Sequence, residues 1–219
     1  NGPGQDGKPD GRKDRQFRET RAGELDAAAR ILGIRDVLLL NHEDGMLPWI
    51  DHAHLEADIL DAISRFQPHV VVTFDEDGLY WHPDHIAVHE RTTSVVASLR
   101  DKAPALFYVT IPSGSMRAVV DHAAKICTDR SLRTPAPRSI LGVNDADAFG
   151  AKAAAPTLVV RTGKFSVQKL RALACHHSQY LDCALTLVST EDAAELLGTE
   201  HYHRAAVGAM GPSFLEQFG

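Results

Sequence analysis

Two histidines and an aspartate fall within four consecutive residues of this chain, His82-Pro83-Asp84-His85. Proline is favoured at the first position of a helix, so Pro83 predicts a helix start with His82 near its cap. Asp84 and His85 then lie in the first turn, above the end of a predicted strand. Imidazoles bind borderline cations and exchange protons near neutral pH, and a carboxylate can orient a neighbouring ring. The segment therefore predicts a site where one histidine binds a metal and the other handles a proton or an oxyanion.

Two other histidine patterns are weaker indications of chemistry. His85 and His89 are four residues apart, as in the zinc-binding helices of metalloproteases, but Ile86 stands where those enzymes place a glutamate. His89 is therefore expected to be a packing or helix-surface residue. Cys175 beside His176 leaves open a cysteine-dependent amidase, although that chemistry requires contact in space rather than adjacency in sequence.

The elements that must position these side chains alternate between strands and helices. The strands are short, nearly continuous apolar runs, and the helices repeat apolar residues at helical spacing. This alternation predicts an α/β fold, a Rossmann-like three-layer sandwich with a mostly parallel sheet, in one domain of residues 1–219. The predicted strands are 36–40, 69–74, 105–110 and 157–161, and the predicted helices are 19–32, 51–66, 83–100, 115–125, 166–175 and 192–197.

Two stretches of the chain do not fit this alternation. Residues 1–15 are rich in Gly, Pro and charged residues and are expected to form a mobile loop. Residues 131–155 carry several Pro, Gly and Asp residues and are expected to form a long irregular excursion. A domain that opens on a polar loop, rather than on a helix or strand, suggests that another segment precedes it.

Carboxylates follow two of the predicted strands. Asp44 lies in the loop after the first strand, and Asp75, Glu76 and Asp77 follow the second. The carboxyl ends of parallel strands meet at one edge of a sheet, so Asp44 is expected in the same crevice as the histidines. Glu76 and Asp77 are expected in a solvated turn.

Composition excludes several classes of protein and of site. The 219 residues carry a formal charge of −6, which gives no electrostatic footprint for nucleic acid, and no apolar run is long enough to span a bilayer. The three cysteines are odd in number and have no CxxC spacing, so neither a disulfide framework nor a cysteine zinc site is expected. A reducing cytoplasm fits this pattern best. The sequence leaves the oligomeric state open, a homo-oligomer included.

Five segments of the chain, taken in order, resemble the PIG-L/LmbE family of zinc-dependent N-deacetylases. The combination of HPDH with the later His-x-Ser-Gln pattern is the most specific part of the resemblance. It implies hydrolysis of an N-acyl amino sugar, commonly a glucosamine derivative, by a zinc ion with three protein ligands. The matching segments are Arg21 to Gly33, Asp44-Gly45, Thr73 to His85, Lys169 to Gln179 and Leu197 to Tyr202.

The resemblance also implies a role for each matching residue. His85 would be a zinc ligand, and His82 would stabilise the tetrahedral oxyanion or protonate the leaving amine. Asp84 would tune the neighbouring histidine, and Tyr80 would be a mobile tyrosine that reaches the substrate carbonyl. The residues implied around the sugar pocket and the floor of the site are Arg21, Asp44, His176 and Gln179.

One motif of the family is missing from this sequence. The family begins with a strand ending in AHPDDE, which supplies the other zinc ligands and the aspartate base, and no such motif occurs here. The family's first strand, first helix and second strand are therefore expected to be absent from this chain. Three explanations stay open: a companion N-terminal segment, a homologue that binds ligand without catalysis, or another base such as Asp75. The first is favoured, because loss of a central strand would expose apolar surface and unpaired backbone groups.

Overall fold

The computed structural model describes residues 11–130, 135–180 and 182–219, with side chains from residue 16 onward. Helices and strands alternate along most of these ranges, which confirms the α/β class. The helices are α1 (Gly11–Leu32), α2 (His52–Phe66), α3 (Gly78–Trp81), α4 (Pro83–Ser98), α5 (Ser115–Asp129), α6 (Ser166–Leu173), α7 (His177–Tyr180) and α8 (Ala193–Leu197). The strands are β1 (Val70–Phe74), β2 (Ala105–Thr110), β3 (Leu158–Arg161) and β4 (Thr199–Gly208).

The four strands form one mixed sheet in the order β1-β2-β4-β3. β1 pairs with β2 in parallel, and β4 is antiparallel to both β2 and β3. β1, β2 and β3 consequently run in one direction, and β4 alone is reversed between two of them. A mostly parallel sheet is therefore not confirmed, because one of the three pairings in the described part of the chain is parallel. The carboxyl end of β1 leads directly to the HPDH segment.

Helices α2 and α4 pack on one face of the sheet. Val96 of α4 and Leu106 of β2 are fully buried there, and Ile63 of α2 lies against the same cluster. A larger core joins α5 to the segments on either side of α7, with Val119 and Ile140 almost completely buried. Val71 of β1 packs against the first core, and Tyr80, which lies between β1 and α4, packs against the second.

The start of α1 corrects one expectation. Residues 11–15 were expected in a mobile loop, but they form the first turns of a helix that begins at Gly11. Lys, Arg and Gln, which follow that glycine, are good helix formers, so charge alone does not indicate a loop. Residues 1–10 of the expected loop, and residues 131–134 of the expected excursion, lie outside the described residues.

The first predicted strand is wrong in this structure. Residues 36–40 have no regular secondary structure, and the four apolar side chains from Val37 to Leu40 are 41–53% exposed. A strand needs a neighbouring backbone to pair its N–H and C=O groups, and this run has no such neighbour in the described ranges. An apolar run alone did not define a strand here.

The structure also contains a strand that the sequence did not predict. β4 is rich in polar residues, so it lacks the apolar run that marks the other strands. Its polar side chains find partners instead: Glu200 pairs with Lys169 at 2.9 Å, and Arg204 pairs with Glu216 at 2.5 Å. β4 is therefore a strand because it pairs with β2 and β3 on its two edges and because these ion pairs satisfy its polar side chains.

Candidate active site

The candidate site lies where β1 ends and α4 begins. Pro83 is the first residue of α4 and His82 is its N-cap, as predicted. The preceding turn is less solvated than expected: Glu76 is exposed, but Asp77 is only 1% exposed. Asp77 accepts the Leu79 N–H at 2.9 Å, so it is a buried cap of α3, and the prediction for it is wrong.

The hydrogen bond of His82 fixes which nitrogen carries its proton. Nδ1 of His82 lies 3.2 Å from the backbone N–H of Asp84. A backbone N–H can only donate, so Nδ1 is the acceptor and the neutral ring carries its proton on Nε2. His82 therefore offers an N–H donor at the far end of its ring.

His85 is anchored in the opposite tautomer. Its Nδ1 lies 3.0 Å from the Gly78 carbonyl oxygen, which can only accept, so Nε2 keeps its lone pair. The ring stacks on Phe74 with centroids 3.9 Å apart. Burial is the largest influence on the pKa of His85 and lowers it, which favours the neutral ring. A neutral imidazole anchored through Nδ1 has the form that metal-binding histidines take.

Tyr80 lies beside both imidazoles. The ring centroids of His82 and His85 are 4.6 Å apart, and that of Tyr80 is 5.8 Å from the first and 5.3 Å from the second. Burial raises the pKa of Tyr80, and the charge of Asp44 raises it further, so the hydroxyl keeps its proton at neutral pH. The structure therefore brings three groups with proton-carrying or metal-binding atoms into one cluster.

The carboxylate of Asp84 binds the loop that carries Asp44. It accepts the Gly45 N–H at 2.7 Å and the Leu47 N–H at 3.1 Å, and the residue is 8% exposed. Its hydrogen bonds thus go to backbone groups of that loop rather than to a histidine ring. Asp84 holds the Asp44 loop against the start of α4.

Arg21 and Asp44 form an ion pair at the edge of the cluster. The Nη1 atom of Arg21 lies 2.8 Å from Oδ2 of Asp44, and the guanidinium also lies over the Phe17 ring at 4.7 Å. A cleft of about 540 Å³ opens beside them, between α1 and residues 39–44. The pair therefore offers a charged donor and acceptor to a polar ligand next to the histidines.

Helix α1 also connects the site to α7 through a residue that was not predicted as functional. Both oxygens of the buried Glu24 accept from Ser178, one from its N–H and one from its hydroxyl, each at 2.7 Å. This brings residues 176–179, which include His176 and Gln179, against α1 at Glu24, and Glu24 lies one helical turn from Arg21. The Gln179 side chain is exposed and has no partner in the described ranges, so its role stays a prediction.

The donor set for a metal ion is incomplete in the described residues. His85 fits a ligand, but no three His, Cys, Asp or Glu side chains of these ranges lie together as a metal site. Asp75 as an alternative base stays a prediction: its two oxygens accept the N–H groups of Glu76 and Ala154, at 2.9 and 3.2 Å. The residue is 3% exposed, and these hydrogen bonds connect β1 to the backbone at Ala154.

The two weaker patterns form no site of their own. His89 packs as expected: its Nδ1 bonds to the Phe74 carbonyl at 2.9 Å, and its ring lies 4.6 Å from that of Tyr108. The Cys175 thiol donates to the Arg171 carbonyl at 3.4 Å, and no histidine ring is among its partners in the described part of the chain. The geometry therefore gives a thiol-dependent amidase no support.

Comparison with known proteins identifies the family. Residues 1–96 match the family described as PIG-L, GlcNAc-PI de-N-acetylase. A protein of Actinosynnema mirum named 1D-myo-inositol 2-acetamido-2-deoxy-alpha-D-glucopyranoside deacetylase is 30% identical, over 87% of this chain and 72% of its own length. A Catenulispora acidiphila protein, deacetylase 2 of the same name, is 32% identical over 84% of this chain and 68% of its own length.

An Acidothermus cellulolyticus relative with that deacetylase name is 29% identical over 83% of this chain, which spans 66% of the relative. No helix in the described ranges is long and apolar enough to cross a membrane. The family match covers both the Arg21–Asp44 pair and the His82–His85 pair, and the relatives extend the similarity across most of the chain. The chain belongs to the PIG-L de-N-acetylase family.

Proposed function

We propose that this chain is the larger part of a zinc-dependent hydrolase that removes the acetyl group from an N-acetylglucosamine-type sugar. Family membership supports deacetylation, and the names of the relatives support an acetamido sugar linked to a polyol. The observation that carries the proposal is the complementary pair of histidine tautomers. His85 has a free lone pair and His82 has a free N–H, side by side.

The metal ligand among the described residues is His85. Its Nδ1 bond to the Gly78 carbonyl orients the ring and leaves Nε2 for the ion. A bound zinc ion would polarise the acetamide carbonyl and lower the pKa of a coordinated water. The lowered pKa of His85, caused mainly by burial, keeps protons from competing for Nε2.

His82 and Tyr80 act on the acetamide group. The Nε2–H of His82 donates a hydrogen bond to the oxygen that becomes negative as the carbonyl is attacked. The leaving amine takes its proton from the general base, which received it from the attacking water, because loss of the Nε2 proton would leave His82 as an imidazolate. The Tyr80 hydroxyl, protonated at neutral pH, is a second donor to that oxygen.

The sugar binds beside this pair of donors. Arg21 and Asp44 bind its hydroxyl groups in the cleft next to α1, and Asp84 holds the Asp44 loop in place. His176 and Gln179 form the floor of the site, because Ser178 between them is fixed to α1 by Glu24. Nucleic acid has no role in this proposal.

The remaining zinc ligands and the general base come from a companion segment with the AHPDDE motif of the family. Two features support such a segment. β1 has one hydrogen-bonded neighbour in the described ranges, and Val72 in its middle is 49% exposed. The run Val37–Leu40 is exposed as well. Added parallel strands between them would complete a Rossmann-like sheet in a single domain and cover both apolar surfaces.

A catalytically incomplete homologue is the second candidate function. One observation favours it: the described residues offer one suitable metal ligand rather than the three that catalytic zinc takes. Such a protein would bind the amino sugar through Arg21 and Asp44 and would hydrolyse nothing. A cytoplasmic location, predicted from the cysteines, is common to both candidates.

Metal content and acetate release together separate these candidates. We would purify the natural full-length protein and supply N-acetylglucosaminyl inositol. The enzyme is expected to hold about one zinc ion per chain and to release acetate and free amine in equal amounts. A chelator should stop the release and added zinc should restore it. Sugar binding with neither zinc nor acetate release would contradict the enzyme and support the second candidate.

A further inference from the structure

Residues 75–81, which include α3 and carry Tyr80, are called the loop here, because Leu79 and Tyr80 depart from helical backbone angles and the backbone is strained. Gly78, Leu79 and Trp81 all have positive φ angles, at 57°, 69° and 66°. This left-handed region is unfavourable for residues with a Cβ, so Leu79 and Trp81 are strained. Such a loop keeps its conformation only when its surroundings hold it there.

Helix α4 holds this loop on one side, where His85 bonds to the Gly78 carbonyl. A second set of contacts comes from one distant segment, residues 149–154, which we call the strap. Gly150 donates its N–H to the Leu79 carbonyl at 3.0 Å. The Phe149 ring lies against the Tyr80 ring, with centroids 5.0 Å apart. The Ala154 N–H donates to the Asp75 carboxylate at 3.2 Å, and the Lys152 ammonium lies over the Trp81 ring, 5.3 Å from its centroid. The strap thus contacts the loop at four points along its length.

The strap is itself fixed to the body of the protein. Phe149 is 4% exposed and belongs to the large core cluster that includes Ile140. Gly150 has a φ of 69°, and a Cβ there would lie 1.8 Å from the Ile111 carbonyl oxygen. The strap is therefore pressed against the segment that follows β2 and has little room to move.

We infer that the strap is a positioning element for Tyr80, with Phe149 as its main positioning residue. The inference rests on the proposed function for the chemical role of the Tyr80 hydroxyl, but not for the geometry. Phe149 limits the movement of the Tyr80 ring. Gly150 fixes the backbone carbonyl of Leu79, the residue before Tyr80. Together they hold the Tyr80 ring beside the two histidines and so restrict the mobility that the family resemblance implies for this tyrosine.

The test compares two truncations in the same core, made in the natural full-length protein. Phe149→Ala removes the ring against Tyr80, whereas Leu185→Ala removes an equally buried side chain of the same cluster. Exchange of the Leu79 and Trp81 amides is followed by mass spectrometry, because both are protected by Asp77. Phe149→Ala is expected to speed this exchange roughly tenfold more than Leu185→Ala.

The kinetic constants distinguish a positioning role from a purely structural one, because a purely structural role would leave kcat and KM unchanged in the folded protein. Phe149→Ala should lower kcat with little change in KM, whereas Leu185→Ala should leave both nearly unchanged. Phe149→Leu keeps an apolar side chain in the core and should restore part of kcat. It is the control for a Phe149→Ala protein that fails to fold. Ala154→Pro, which removes the N–H donated to Asp75 without touching the core, should also speed loop exchange.

The outcomes separate failure of this inference from failure of the proposed function. Equal exchange and equal kcat in Phe149→Ala and Leu185→Ala would overturn the positioning role while leaving deacetylation intact. If Phe149→Ala speeds loop exchange more than Leu185→Ala, but the wild-type protein releases no acetate, the proposed function is overturned and the strap's effect on the loop stands.

Discussion

Hydrogen-bond partners decide what the individual residues of this site can do. His82 and His85 are chemically identical in the sequence, yet one accepts a backbone N–H and the other donates to a carbonyl. The residue types and the helix start at Pro83 were predictable. The tautomers were not, because they depend on where the fold places the Gly78 carbonyl oxygen.

Glu24 is a second residue whose role depends on its hydrogen-bond partner, Ser178. Burial alone would raise the pKa of Glu24, but the two hydrogen bonds from Ser178 and the nearby histidines leave it below its ordinary value of 4.5. The carboxylate bound in this way joins α1 to α7. Its charge is therefore expected to stabilise the fold.

This stabilisation has a defined pH dependence. Because the folded-state pKa lies below 4.5, the contribution is complete above that pH and is lost as pH falls through the folded-state pKa. Glu24→Gln should lower the free energy of unfolding by about 1–3 kcal/mol at pH 7, and by less at acid pH. Urea unfolding at both pH values measures this, with the exposed Glu195→Gln as control. An equal loss at both pH values would contradict the role of the charge.

At the scale of elements, the strap shows how an irregular segment can position a site. The sequence predicted residues 131–155 as a long irregular excursion, since Gly, Pro and Asp indicate only a lack of regular structure. What the segment contacts is a matter of tertiary packing. The close approach of Gly150 to the Ile111 carbonyl is the most specific of these contacts.

Two glycines give a matched test of that close approach. Gly150 and Gly114 both have positive φ, at 69° and 82°, but only the Cβ of Gly150 would meet a neighbour. Gly114→Ala should cost about 1 kcal/mol for the backbone conformation alone. Gly150→Ala should cost on the order of 3 kcal/mol more, because Ile111 must move. Thermal or urea unfolding measures the difference, and equal costs would show that the strap is loosely held.

At the scale of the whole molecule, the sequence predicted the α/β class, β1, β2 and the helices that flank the site. It failed where an element depends on its neighbours rather than on its own residues. The run at 36–40 is apolar enough for a strand but has no partner in the described ranges, and polar β4 is a strand because it pairs on both edges. Arg21 and Asp44 were each expected around the sugar pocket, and the structure adds the ion pair between them.

The division of labour between the two histidines is the central claim for the whole molecule. Zinc content of three single variants of the natural full-length protein tests it most directly. His85→Ala should lose zinc and activity together, whereas His82→Ala should keep zinc and lose turnover by a factor of about 10²–10³. His89→Ala serves as control, because it removes a histidine of the same helix that is also anchored on a backbone carbonyl. Full zinc retention in His85→Ala, or equal zinc loss in His82→Ala and His85→Ala, would contradict the account.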